Sequence, residues 1–317
     1  MCVSPPEHLS IHHSKLVQSA ETIVLAVAIG EEPLDPSNKA TVAKALEGME
    51  YLKRSTSPRA NAAISSFLER PRAKFRVIKS IKGNADAEIV LVNGYLRDGL
   101  STEAHPRKNK ERHHDFNGHT SGKFWHRQIT RQGNDTDCRM WPQFDLRKQY
   151  LLFPDREHYR SYEEVKHEGD KWLNAVTQLV GNPGLKAGLT VTVKDWLSMV
   201  EGVFIGTVVE ASGPVLSVDH ILHGTFDDKW WYLPQNAPSG MSGNWPFWGE
   251  RRDNSLGEQF LVISYDPEPP TTVYRTATVL KADGSGVFDF KDVFNESNAE
   301  VIGNPFQRLA DLKEMFQ

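Results

Sequence analysis

The segment KFRVIKSIKG, residues 74–83, alternates apolar and polar side chains and ends at a glycine. A period of two is the signature of a half-buried strand, with Phe75, Val77 and Ile81 on one face and Arg76, Ser80 and Lys82 on the other. The segment LSVDHILHG, residues 216–224, repeats the pattern. Leu216, Val218 and Leu222 stand 141 positions after Phe75, Val77 and Ile81, and Gly224 stands 141 after Gly83. Carried on without a gap, the same offset matches EIVLV (88–92) to KWWYL (229–233), a second strand after a short polar turn.

The flanking blocks recur in the same order. SAETIVLAV (19–27) resembles MVEGVFIGT (199–207), each an apolar strand preceded by a glutamate. SGKFW (121–125) echoes WPFW (245–248), and FDLRKQYLLF (144–153) parallels NSLGEQFLVI (254–263). Ordered agreement of five blocks predicts two copies of one β-rich unit. The copies differ after their first strand. The second copy turns through EASGP (210–214), a hairpin-length connection. The first inserts roughly forty residues in which Val42, Leu46, Met49 and Leu52, then Ala63, Ile64, Phe67 and Leu68, recur at helical spacing. A helical hairpin over 37–70 is expected, with Ser37 capping its first helix and Pro58 opening the second.

Helices also flank the strands. Leu9, His13, Leu16, Val17 and Ala20 make one face of an N-terminal helix. Ser161 with Glu164 reads as a capping box for a closing helix over 161–180, whose stripe is Trp172, Leu173, Val176, Leu179 and Val180. NPG at 182–184 ends that helix, and Asp195 to Val200 reads as a short turn. Asn304 as cap and Pro305 at the first helical position predict a last helix over 304–316, with Phe306, Leu309, Leu312 and Phe316 inward. The expected class is therefore mainly β with flanking helices (α+β). Two tandem OB-like Greek-key β-barrels follow, over 1–182 and 188–317, the first with a helical hairpin insert.

The block order is similar to that of the netrin-like domains, which include the tissue inhibitors of metalloproteinases. The matching elements are Cys2, ETIVLAVA, FRVIKSIKG, Cys138 and KQYLLF. The resemblance covers most of 2–153 and, more loosely, 195–263. It implies a Cys2–Cys138 disulfide worth about 2–4 kcal/mol, and with it an oxidising compartment. Two unrelated thiols are the alternative that spacing leaves open. Those inhibitors begin Cys-x-Cys and chelate a protease zinc through a free amino group. Here the start is Met1-Cys2-Val3-Ser4 and the second copy has no cysteine, so a general interaction role is what carries over.

Bulk properties narrow the partners. A net charge of −4 over 317 residues supplies no positive field for a polyanion. No apolar run reaches the ~18–20 residues of a membrane span. MCVSPPEHLSIHHSK has no apolar signal region. If a signal has been removed, an exported protein is expected, whether periplasmic, secreted or lipid-anchored through Cys2; otherwise the chain is cytoplasmic.

Three clusters could carry chemistry. His113, His114, His119 and His126, with Asp115, lie in one polar stretch and could hold a divalent ion such as zinc. None of these histidines has the helical spacing of a His-Glu-x-x-His enzyme, and the matching stretch of the second copy has no histidine, which excludes duplicated metal sites. Arg107, Lys108, Lys110 and Arg112 beside Phe124 and Trp125 evoke single-strand nucleic-acid binding, against which the overall acidity weighs. Trp230, Trp231, Trp245, Phe247 and Trp248 cluster in the second copy, and adjacent Trp230 and Trp231 point to opposite faces, so at most one enters the core. There is no nucleophile elbow, phosphate loop or dinucleotide fingerprint. The expectation is a non-catalytic binding protein that needs no cofactor and takes another protein, or a small ligand or glycan, as partner. Its alternatives are a metal-dependent hydrolase using the histidines of 113–126 and an oligosaccharide or single-strand nucleic-acid binder using exposed tryptophan.

Overall fold

In the computed structural model, residues 12–35, 37–46, 57–97, 117–125, 142–156, 158, 160–210, 215–226, 229–232, 256–265, 277–295 and 297–317 are described. The chain divides into two compact units. In the first, β1 (Ile23–Glu32), β2 (Arg72–Lys82), β3 (Glu88–Val90), β6 (Gln149–Leu152) and β7 (Tyr162–Glu164) form a sheet in the order β3-β2-β1-β6-β7. Between them β4 (Tyr95–Leu96) and β5 (Gln143–Phe144) make a short parallel pair. In the second unit, β8 (Thr190–Thr192) precedes β9 (Gly202–Glu210), β10 (Val215–His223), β11 (Trp230–Tyr232), β12 (Gln259–Ser264) and β13 (Ala277–Lys281). The last five are ordered β11-β10-β9-β12-β13. The two orders are the same strand for strand, and every pairing within them is antiparallel.

The repeat extends to the irregularities. In the first sheet Ile29, Ile78 and Ile81 are each an extra residue against the facing strand. In the second the extra residues are Val209, Asp219 and Leu222, at the matched positions. A bulge twists and re-aims its strand, so three shared bulges give both ladders one curvature. They also interrupt strict alternation, and Ile78 and Ile221 stand about half exposed on strands read as regular. The sequence match needs one correction. Phe75 faces Ile89, whereas Leu216 faces Trp231, an offset of 142 rather than 141. The second hairpin holds one more residue, and a one-residue slip exchanges the faces of everything beyond it.

The expected barrels do not close. Among the described residues β3 and β7 pair only with β2 and β6, and β11 and β13 only with β10 and β12, so each unit is an open sheet. In-and-out alternation is common to an open sheet and a closed one. Closure depends on the outer strands meeting, and β3, β7 and β11 have three residues each. Each sheet packs one face into an apolar core. In the first unit Phe75, Phe144 and Tyr150 meet edge to face above Val24, Ala26 and Leu152. In the second, Phe204, Leu216, Trp231, Phe260 and Val262 take their places.

The flanking helices are shorter than expected. α1 (His13–Ser19) buries His13, Leu16 and Val17, with Ala20 just beyond it; Leu9 lies outside the described residues. The insert contains α2 (Lys39–Ala45) and α3 (Pro58–Glu69), the latter capped by Ser57 with Pro58 at its start. Asn38 rather than Ser37 caps α2, because the Ser37 hydroxyl donates to Asp35. The closing helix is α4 (Lys171–Gly181), capped by Asp170. Residues 162–164, expected in its first turn, instead extend the sheet as β7, where their backbone groups complete the free edge of β6. The expected turn at 195–200 is mostly helical: α5 (Val193–Ser198) opens on a Thr192–Asp195 capping box. β14 (Val287–Asp289), α6 (Lys291–Asn295) and β15 (Glu300–Ile302) follow β13. Residues 306–308, expected in the last helix, form β16 (Phe306–Arg308) against β14, and α7 (Leu309–Met315) follows. Phe306 is exposed and Leu312 alone of the four expected inward residues is buried.

The first unit runs to Leu185, and the described residues 119–125 group with the second unit. They are held there by Gly122 N–H donating to Met199 O and Asn298 N–H donating to Trp125 O.

Two anchors fix the ends of the long strands. Gly83 and Gly224 have φ of 67° and 79°. A Cβ on either would run into the carbonyl oxygen of Glu21 or Glu201, the glutamate before each first strand. The residue before each glycine then reaches a preceding helix. Lys82 Nζ donates to the Val17 and Gln18 carbonyls at the end of α1, and His223 Nε2 donates to Val200 O just after α5. The helix insert has its own anchor. Buried Arg72 donates to the carbonyls of Phe67, Arg70 and Val92 and lies between the rings of Phe67 and Tyr95. Burial lowers its pKa, yet no carboxylate is needed because three carbonyl dipoles receive the guanidinium.

Gly83→Ala and Gly224→Ala are each expected to cost about 2 kcal/mol or more, since left-handed backbone and backbone collision act together. Arg72→Met is expected to cost about 3 kcal/mol by stranding buried carbonyls. Urea unfolding midpoints measure all three.

Candidate functional site

On the face of the second sheet opposite Phe204 and Phe260, Val203, Ile205, Leu261 and Ile263 are buried, and at the more open end of that face one cross-strand row runs over four strands. Gln259 of β12 pairs with Thr207 of β9, Thr207 with Ser217 of β10, and Ser217 with Trp230 of β11. Directly opposed residues on one face lie within about 5.5 Å, so the four side chains are neighbours. Trp230 is 49% exposed, while Trp231 beside it is 4% exposed and packs on Phe204. The one-residue slip in the hairpin assigns these roles.

Asp219 completes the row. It is the bulged residue of β10, and its carboxylate accepts hydrogen bonds from the hydroxyls of Ser217, at 2.6 Å, and Thr207. A carboxylate has about four lone-pair positions, so two remain for another donor. Each hydroxyl directs its hydrogen to Asp219 and presents its lone pairs outward as acceptors. The surface is rich in acceptors, with one broad indole at its edge.

The matched row of the first sheet is different. Gln149, Val27, Arg76 and Glu88 occupy it, and Ile78 stands where Asp219 stands. Lys74 bridges Glu32 and Glu88 at 2.6 and 2.9 Å, and its pKa is raised while that of Glu88 is lowered by the contact. This row carries charged Arg76 and Glu88, the latter ion-paired to Lys74, and no aromatic. The two copies share a framework and present different chemistry.

Of the other expected site residues, His119, Phe124 and Trp125 are described and lie together in the second unit. Phe124 and Trp125 are fully buried in the second unit, with Trp125 Nε1 donating to His119 O, so they are core rather than contact residues. His119 is buried with φ 55° and its ring lies 4.4 Å from that of Phe124. His113, His114, His126, Trp245, Phe247, Trp248, Cys2 and Cys138 lie outside the described residues. Among the described residues no group of three or more His, Cys, Asp or Glu could hold a metal ion, and no helix is long and apolar enough to cross a membrane.

Thr207, Ser217, Asp219 and Gln259 were not singled out by sequence reasoning. A signal was present: a Ser-x-Asp step in the middle of a strand whose first-copy counterpart reads Arg-x-Ile. It gained meaning only when the bulge put Asp219 beside the Ser217 and Thr207 hydroxyls.

A second polar group lies in the first unit. His13 of α1 packs on Trp172 of α4, near His158, Arg160 and Glu163. Arg160 pairs with Glu163 at 3.2 Å, and its N–H donates to His158 Nδ1. All four side chains are closed off from solvent, so the group docks α1 onto the end of the sheet. Burial first, then the positive field of Arg160, holds the His13 pKa well below its ordinary 6.5, and Glu163 opposes this only in part. The unfolded chain therefore takes up a proton at His13 before the folded one does. The resulting stability is complete above about pH 6.5 and is lost as pH falls below it. The urea midpoint should drop between about pH 7 and pH 5, and a His13→Leu variant should show a shallower drop.

Compared with known protein families, characterised proteins and solved structures, the chain matches none.

Proposed function

We propose that this protein is a non-catalytic binding protein made of two OB-like, netrin-like units, and that the outer face of the second sheet holds the ligand. The observation that carries the reading is the half-exposed Trp230 at the edge of a polar row. Leaving an indole in water is unfavourable, and such a residue earns its place when a partner covers it. The strand order supports the OB-like part. A barrel of this type wraps its third strand toward its fifth, and β3-β2-β1-β6-β7 is that order before closure. The packing of α1 on α4 supports the netrin-like part, as does the matching of Cys2 and Cys138 in sequence. In OB folds the face of the second and third strands is a common binding surface, and β10 and β11 are those strands here.

The test is a thermal-shift screen of neutral and acidic oligosaccharides, single-stranded oligonucleotides, short peptides and divalent metals. A hit should raise the midpoint of the native chain by several degrees, leave Trp230→Ala unmoved, and be recovered chemically unchanged. Hits that stabilise Trp230→Ala equally would refute the assignment of this face. Consumption of the hit would refute the non-catalytic reading.

A further inference from the structure

We infer that the row Gln259–Thr207–Ser217–Trp230, with Asp219, is a binding site for a neutral oligosaccharide; this rests on the proposed binding role of that face. The dimensions fit. Three inter-strand steps of about 4.8 Å carry the row roughly 14 Å across the sheet, the length of a few sugar rings laid end to end. The row offers a separate side chain at each step.

The chemistry selects among ligands. A pyranose ring has an apolar face of C–H groups and a rim of hydroxyls. The half-exposed Trp230 indole provides a flat apolar surface of matching size. The Asp219 carboxylate is held in place by the hydroxyls of Thr207 and of Ser217, the residue opposite Trp230. Its remaining lone pairs can accept from two hydroxyls of one ring, a geometry for which the acceptor is already ordered. Ser217 and Thr207 oxygens add further acceptors, and the Gln259 amide can both donate and accept. A surface with this excess of acceptors calls for a ligand rich in donors.

Charge decides against the polyanions. A nucleic-acid strand would also stack on Trp230, but its phosphates would meet Asp219, and no Lys or Arg stands in the row. Acidic glycans meet the same carboxylate. Neutral chains carry no such penalty. The matched row of the first sheet serves as an internal control, since Arg76, Glu88 and Ile78 replace Ser217, Trp230 and Asp219. It lacks both the stacking surface and the ordered acceptor, so one site per chain is expected.

The experiment is titration of the full chain with neutral cello-, chito-, xylo- and manno-oligosaccharides of four to six rings. Parallel titrations use an oligothymidylate and a polygalacturonate fragment, and Trp fluorescence and calorimetry follow binding. The expected result is quenching by at least one neutral series at a stoichiometry near one. Trp230→Ala should weaken that binding more than tenfold and Asp219→Ala about tenfold, while Ile78→Ala in the first sheet leaves it unchanged. Both target residues are at the surface, and an unaltered urea midpoint confirms that each variant is folded. Binding of the oligothymidylate or the acidic glycan through Trp230 would overturn the saccharide assignment and leave the binding face standing. A flat response to every neutral series, or neutral binding indifferent to both substitutions, would overturn the inference itself.

Discussion

At the end of each long strand the carbonyl oxygen of a glutamate occupies the space where a side chain would stand. Gly83 and Gly224 are the residues that make this approach possible, and both carry the left-handed backbone it requires. The contact pins the end of β2 to the start of β1, and the end of β10 to the start of β9. Once those ends are fixed, the pairing register of the two longest ladders follows, bulges included. The residue before each glycine is aimed at backbone carbonyls upstream of its sheet, those of α1 for Lys82 and that of Val200, two residues past α5, for His223. Side-chain chemistry at that position is free to differ, and lysine in one copy and histidine in the other do the same work.

From this shared frame the copies diverge in opposite directions. The first spends its differences on internal architecture. Arg72 ties a helical insert to the sheet through carbonyls rather than through a carboxylate, and the group around His13 closes the far end. On its outer side Lys74 pairs with Glu32 and Glu88, partly exposed contacts worth little to stability. The second copy keeps a short hairpin and places its differences on the surface. An aromatic replaces a glutamate and an aspartate replaces an isoleucine, both on one face. The matched outer row thus carries Arg76 and Glu88 in one unit, and Trp230 with the hydroxyl-held Asp219 in the other.

The loop between the first copy's strands shows how composition can mislead about location. Phe124 and Trp125 follow a basic, histidine-rich run and read as contact residues of an exposed loop. Their burial in the second unit reflects what two large rings gain by leaving water, and no local pattern records which core receives them. The closing helix teaches the same point about hydrogen bonding. Ser161 and Glu164 satisfy the capping rule, yet the unpaired edge of β6 offers residues 162–164 a full set of backbone partners. Asp170 then caps the helix nine residues further on than Ser161 would have.

The sequence by itself determined the duplication, the antiparallel strand character of its blocks, the helical insert and the two glycine stops. These follow from periodicity and from backbone permissiveness, which are local and survive reading in one dimension. It also limited Trp230 and Trp231 to opposite faces. Only the tertiary structure decided which of the two is outside, because one extra hairpin residue reverses a strand and leaves its pattern unchanged. It alone decided that the sheets stay open, and that a bulge carries Asp219 to the hydroxyls of two strands. Those outcomes depend on which backbone groups meet across the sheet, and such pairings are long-range, so no stretch of sequence contains them.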